Sequence, residues 1–180
     1  MKPPIIGHKV NDEAIDSLID TLESICKDED VLYVGYPIAS IIDTAISVPA
    51  MLISSRYGLI CFDVMAAAQT TNLSNVRDRQ RRIVLAIKSK LLQHPDLSPD
   101  LDLAVPVNIV TYSLAVDVAL QQTEVRVANS NTLKQTLEGL SRPRKIGHKN
   151  AEAYGVLGRC CARHCCSMAP PRATYSTGVR

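Results

Sequence analysis

The sequence has no tryptophan and one phenylalanine, Phe62, so whatever core it builds has to be aliphatic. No stretch of ~20 apolar residues occurs, which excludes a membrane-spanning helix of ordinary length. The N-terminus MKPPIIGHKVNDE lacks the apolar centre of a signal peptide, and a cytoplasmic location is therefore expected. A formal net charge of +2 is too small to announce a nucleic-acid partner unless basic residues cluster locally. The G-x-x-x-x-G-K-[ST] phosphate loop is missing, which excludes an ATP-driven motor in this chain. No Ser-His-Asp or Cys-His arrangement can be argued from spacing.

What is plentiful is apolar residues, at 46% of 180. That is enough for one domain of ~100–150 residues with an appendage, and it argues against disorder of the whole. The chain is organised around Ile46 to Met65, ISVPAMLISSRYGLICFDVM. It reads as two strands, Met51 to Ser54 and Leu59 to Val64, joined by the turn Ser55-Arg56-Tyr57-Gly58. Both are apolar nearly throughout rather than alternating, the pattern of strands covered on two faces in the middle of a sheet.

Around this hairpin, Met1 to Val10 is an extended lead-in, and Asn11 is expected to cap a helix whose stripe is Ile15, Leu18, Ile19, Leu22 and Ile25. Val31 to Ile38 is strand-like, and Ala39 to Val48 reads as a hairpin leading into the central strands, with a turn at Asp43-Thr44-Ala45. A long helix should run from Asn72 or Ser74 to about Gln93, with Leu73, Val76, Gln80, Ile83, Val84, Ile87 and Leu91 on one face. His94 to Asp102 is a loop, Val105 to Tyr112 a strand, Val116 to Gln122 a short helix or irregular crossing, and Glu124 to Ala128 a strand. Thr132 and Gln135 form a capping box for a helix ending at Gly139-Leu140. The order is α/β, a mixed central sheet flanked by helices.

Asp63, at the end of the second central strand, is the first candidate for chemistry. Metal-dependent nucleases hold a divalent ion with carboxylates on adjacent strands and add a lysine two residues after the second acid. Here those places carry Pro49, Asp63 and Met65, so one of the three is chemically competent. A lone aspartate at a strand end also has an ordinary use, capping the loop that follows. Glu13 is open to two readings, a site acid or compensation of the helix dipole in a first turn.

The stretch S-V-P-A-M-L-I-S-S-R-Y-G-L-I-C-F-D-V, followed by Gln80 in the long helix, resembles the nuclease-related (NERD-like) domain found upstream of UvrD-type DNA helicases. That domain is similar to the PD-(D/E)xK restriction-endonuclease-like fold. The resemblance spans roughly Ile5 to Leu140, nearly all of the part read as ordered. It implies a restriction-endonuclease-like sheet, Glu13 as the acid of the first helix and Asp63 as the acid of the second motif. Pro49 stands where the family has its first metal-binding aspartate, and Met65 where active nucleases have lysine. The resemblance thus implies a catalytically degenerate domain with no cofactor, helicase-associated, that binds DNA or a partner such as a repair protein. An active Mg²⁺-dependent nuclease is the alternative, its missing acid coming from elsewhere, for example Asp43. A structural accessory domain without ligand is the third.

Arg77, Arg79, Arg81, Arg82, Lys88 and Lys90 crowd the long helix. They fit either phosphate contacts or a solvated face, and no aromatics are interleaved for base stacking. From residue 141 to 180 the text changes to an Arg-, Gly- and Pro-rich tail without apolar period. Its Cys160, Cys161, His164, Cys165 and Cys166 supply zinc donors but not the usual spacing of chelating pairs. Disulfides do not suit an intracellular chain. A truncated or frameshifted reading frame accounts for such a tail better than either. Cys26 and Cys61 read as buried apolar residues.

Overall fold

Two apolar strands meeting at a glycine form the middle of the protein. The computed structural model describes residues 1–7, 12–35, 39–41, 44–46, 48–65, 72–93, 95–97, 103, 105–114 and 125–140. Strands β5 (Ala50–Ser54) and β6 (Gly58–Val64) pair antiparallel, and every residue from Ala50 to Ser54 and from Gly58 to Asp63 is buried. The two-sided burial expected from the unbroken apolar runs is therefore what the sheet shows.

Four further strands extend it. β1 (Ile5–Ile6) lies parallel to β2 (Val31–Val34), which is antiparallel to β5. On the other side, β7 (Val107–Tyr112) runs parallel to β6, and β8 (Val127–Ala128) parallel to β7. The sheet is six-stranded and mixed, in the order β1-β2-β5-β6-β7-β8. Strands β3 (Ala39–Ile41) and β4 (Thr44–Ile46) form a hairpin of their own instead of leading into the central sheet, and Thr44 and Ala45 belong to β4 rather than to a turn.

Alternation of side chains along each strand sorts the core into two layers. On one face, Leu32, Val34, Ala50, Leu52, Ile60, Phe62, Val110 and Tyr112 pack under Ile15, Leu18 and Leu22 of α1 (Glu13–Ile25) and Leu133 and Leu137 of α3 (Leu133–Glu138). On the other face, Tyr33, Met51, Ile53, Leu59, Cys61 and Ile109 meet Ile83, Ile87 and Leu91 of α2 (Leu73–Leu91). The architecture is α/β, a mixed sheet with helices on both faces.

Several boundaries differ from expectation for local reasons. Asp12, not Asn11, caps α1, its carboxylate accepting from the Ala14 amide at 2.9 Å. Two residues of the lead-in become β1, because Ile5 and Ile6 align with Tyr33 and Val34. Thr132 precedes α3 but makes no capping bond, since its hydroxyl donates to Asn129 Oδ1 and accepts from the Asn129 amide, both at 3.0 Å. Pro95–Leu97, in the stretch expected to be a loop, forms one turn of 3-10 helix. The expectations for 116–122 and for the tail from 141 onward, its cysteines included, lie outside the described residues.

Cys61 is buried and Cys26 half-buried, and neither forms a disulfide with a described residue. Burial first and then the nearby Asp30 charge push the Cys26 thiol up to about 12, the N-terminal amine pulling slightly the other way. Unfolded, the thiol ionises near its ordinary 9.0, so stability should be lost as pH rises from there toward about 12. At pH ~8 the thiolate fraction is negligible, and alkylation followed by peptide mapping should find Cys26 unmodified until denaturant is added. Rapid modification of the native protein would mean that the end of α1 opens.

Candidate functional site

In an open sheet with parallel strands, loops at the carboxyl ends of those strands are where side chains can converge on a ligand. At that edge the register sets three of the singled-out residues close together. Ala50 pairs with Phe62, so one step further Pro49 stands opposite Asp63, and on the other side Asp63 pairs with Thr111. The period of two puts Pro49, Asp63, Met65 and Thr111 on the face covered by α2. The packing agrees, for Met65 contacts the small cluster of Val76, Val125 and Val127 on that side.

Asp63 has none of its surface exposed, an expensive place for a carboxylate unless a charge answers it. The answer comes from α2. Arg79 Nε donates to Asp63 Oδ2 at 2.7 Å, while the Arg79 side chain keeps 45% of its surface in solvent. The bond to Asp63 raises the pKa of Arg79 above its ordinary value, against partial burial that lowers it. Asp63 Oδ1 and the hydroxyl of Ser113 are both buried without a hydrogen-bond partner among the described residues. Ser113 continues the β7–β8 ladder through its amide, which donates to the Ala128 carbonyl at 3.0 Å. Alternation from Thr111 therefore puts Ser113 on the α2 face as well.

Next to Arg79, Gln80 is buried and its amide ties the edge together. Its Nε2 donates to Thr111 Oγ1 at 2.9 Å and to the Arg126 carbonyl at 2.8 Å, and its Oε1 accepts from the Arg126 amide at 3.5 Å. One side chain on the helix thus links β7 to the segment entering β8. The sequence placed Gln80 on the inward face of the helix. It gave no sign of these partners, nor of Arg79 as the partner of Asp63.

Glu13 is exposed in the first turn of α1. The Ser17 hydroxyl and Tyr112 Oη, 2.9 Å apart, seat that end of α1 over the end of β7. Glu13 therefore stands at the same edge of the sheet as Asp63 but in the opposite layer, and no contact joins the two. Asp43 lies outside the described residues.

Divalent-metal chemistry can be tested against these donors. Pro49 offers none and Met65 only a thioether, Asp63 Oδ2 is occupied by Arg79, and no group of three His, Cys, Asp or Glu that could hold a metal ion exists among the described residues. The set does not fit a Mg²⁺ site, which wants oxygen donors in near-octahedral order.

The basic residues of α2 separate into two rows. Each residue turns the helix by about 100°, so Arg77, Arg81 and Lys88 fall within about 40° of one another, and Arg79 and Arg82 lie on the opposite flank. The first row borders a cavity of about 370 Å³ lined by Arg77, Gln80, Arg81, Val84, Leu85 and Ile109, which places it on the β7 side. Leu85 is 67% exposed there. In the second, Arg79 meets Asp63 on β6.

No helix among the described residues is long and apolar enough to cross a membrane. No family model, curated protein or solved structure matches the chain.

Proposed function

We propose that the chain is a catalytically degenerate, restriction-endonuclease-like domain of the helicase-associated, nuclease-related kind, acting in the cytoplasm by binding DNA without cutting it. The observation that carries this reading is the Asp63–Arg79 pair at the carboxyl edge. Asp63 and Met65 share one face at the end of β6, Pro49 lies one step beyond the Ala50–Phe62 pair, and the charge answering Asp63 is a guanidinium. Further support comes from the order of elements. With the separate β3–β4 hairpin inserted after β2, the chain runs through a helix, three antiparallel strands, a long helix and a parallel strand in α1, β2, β5, β6, α2 and β7. The basic rows of α2 supply the attraction for a phosphate backbone, each contact releasing counterions.

The purified protein should bind duplex DNA with an affinity that falls as salt rises. Replacing Arg77 and Arg81 together by alanine should lower the slope of that dependence by up to about two. Plasmid DNA incubated with it in Mg²⁺ or Mn²⁺ should remain unnicked. Metal-dependent nicking that disappears in Asp63→Ala would overturn the non-cleaving reading, and salt-insensitive or absent binding would overturn the DNA partner.

A further inference from the structure

A guanidinium has five N–H donors in a planar fork, and the carboxylate of Asp63 uses the one on Nε. Among the described residues no other protein group bonds Arg79, so its two terminal nitrogens have no partner there, and 45% of the side chain is in solvent. Their orientation is not that of an ordinary surface arginine. A charge-assisted bond of 2.7 Å to a carboxylate with no exposed surface fixes the head group, and the ordering that a ligand would otherwise have to impose is already done. A planar fork held in place and left open on one edge matches two oxygens of a phosphate, which a lysine cannot do. Arg82, three residues on and exposed, flanks it on the same side of the helix. Ser113, at the same edge and face, is wholly buried with its hydroxyl unpartnered among the described residues.

We propose that Arg79, anchored by Asp63, is an oxyanion seat at the carboxyl edge of the sheet that takes a phosphate group in bidentate fashion. Asp63 is a positioning residue and makes no contact with the ligand. The seat deepens the DNA-binding reading, on which it rests for one of its two sources of phosphate, a nucleic-acid backbone; the other is free phosphate. In either case one cation stands between a buried carboxylate and the incoming anion.

The test uses Arg79→Lys, which keeps the charge and can still answer Asp63 but leaves no fork. Its circular dichroism and thermal midpoint serve to establish that it folds. By fluorescence anisotropy the variant should bind duplex DNA about tenfold more weakly than the wild type, with a salt slope little changed because the charge is kept. Unchanged affinity overturns the seat while leaving DNA binding intact. In parallel, inorganic phosphate is titrated into the isotope-labelled wild type while the arginine side-chain resonances are followed. A saturating shift of the Arg79 guanidinium resonance, assigned as the one missing from Arg79→Lys, supports the seat without reference to DNA. If the wild type binds no DNA, the DNA reading fails by itself, and the phosphate titration alone decides. A shift retains the seat for free phosphate, and no shift overturns it.

Discussion

Replacing Arg79 by methionine should cost the fold roughly 3 kcal/mol, whereas replacing Arg79 by methionine and Asp63 by valine together should cost little or nothing. The asymmetry follows from where each partner sits. Arg79 is half in solvent, so its attraction to Asp63 is screened, and alone the pair would be worth little. Asp63 is wholly buried, and without the guanidinium its charge has neither water nor a donor to replace it. Removing both charges takes away the problem, and valine suits a buried strand position flanked by Phe62 and Val64. Chemical denaturation of the three proteins at pH ~7 gives the result directly. Equal stability of the single and double variants at neutral pH would mean that water already solvates Asp63.

That pair also marks where the sequence stops being readable. The central hairpin was legible because burial on both faces favours apolar residues at nearly every position from Ala50 to Phe62, with Ser54 and the turn as the interruptions. Counting back from the turn even puts Pro49 opposite Asp63, since a pairing that starts at Ser54 and Gly58 fixes every later pair. The inward face of α2 was legible for a similar reason, with Val76, Gln80, Ile83, Ile87 and Leu91 recurring at helical spacing.

Which arginine in the run Arg77 to Arg82 would meet Asp63 was not legible. Arg79 differs from its neighbours only in phase, and its phase matters only once the rotation of α2 over the sheet is set by Ile83 and Ile87. Ser113 was silent because its meaning lies in a register with β8 that a two-residue strand cannot advertise. Asn11 and Asp12 are equally good caps by chemistry, and only backbone geometry chose Asp12. Composition therefore reported layers and faces, while pairwise contacts across the sheet depended on rotations that no local pattern encodes.

Gly58→Ala should be the most damaging substitution of a single small residue, lowering stability by roughly 3 kcal/mol and the thermal midpoint by roughly 10 °C. Two causes act at once. Gly58 has φ +82°, a left-handed conformation that a Cβ makes unfavourable by ~1 kcal/mol or more. A Cβ there would also lie 2.6 Å from the carbonyl oxygen of Pro106 and 2.7 Å from its Cγ, closer than such atoms approach. That carbonyl cannot retreat cheaply, because it accepts the Leu59 amide at 3.0 Å just where β6 begins to pair with β7. Gly58→Asn separates the causes, since asparagine tolerates the left-handed region but carries the same Cβ. If contact with Pro106 dominates, asparagine should be nearly as damaging as alanine. Adding Pro106→Ala to Gly58→Ala should then restore only part of the loss, because it removes the ring but not the carbonyl. Near-wild-type stability of Gly58→Asn would show instead that the start of β7 yields, and that backbone conformation alone made glycine necessary.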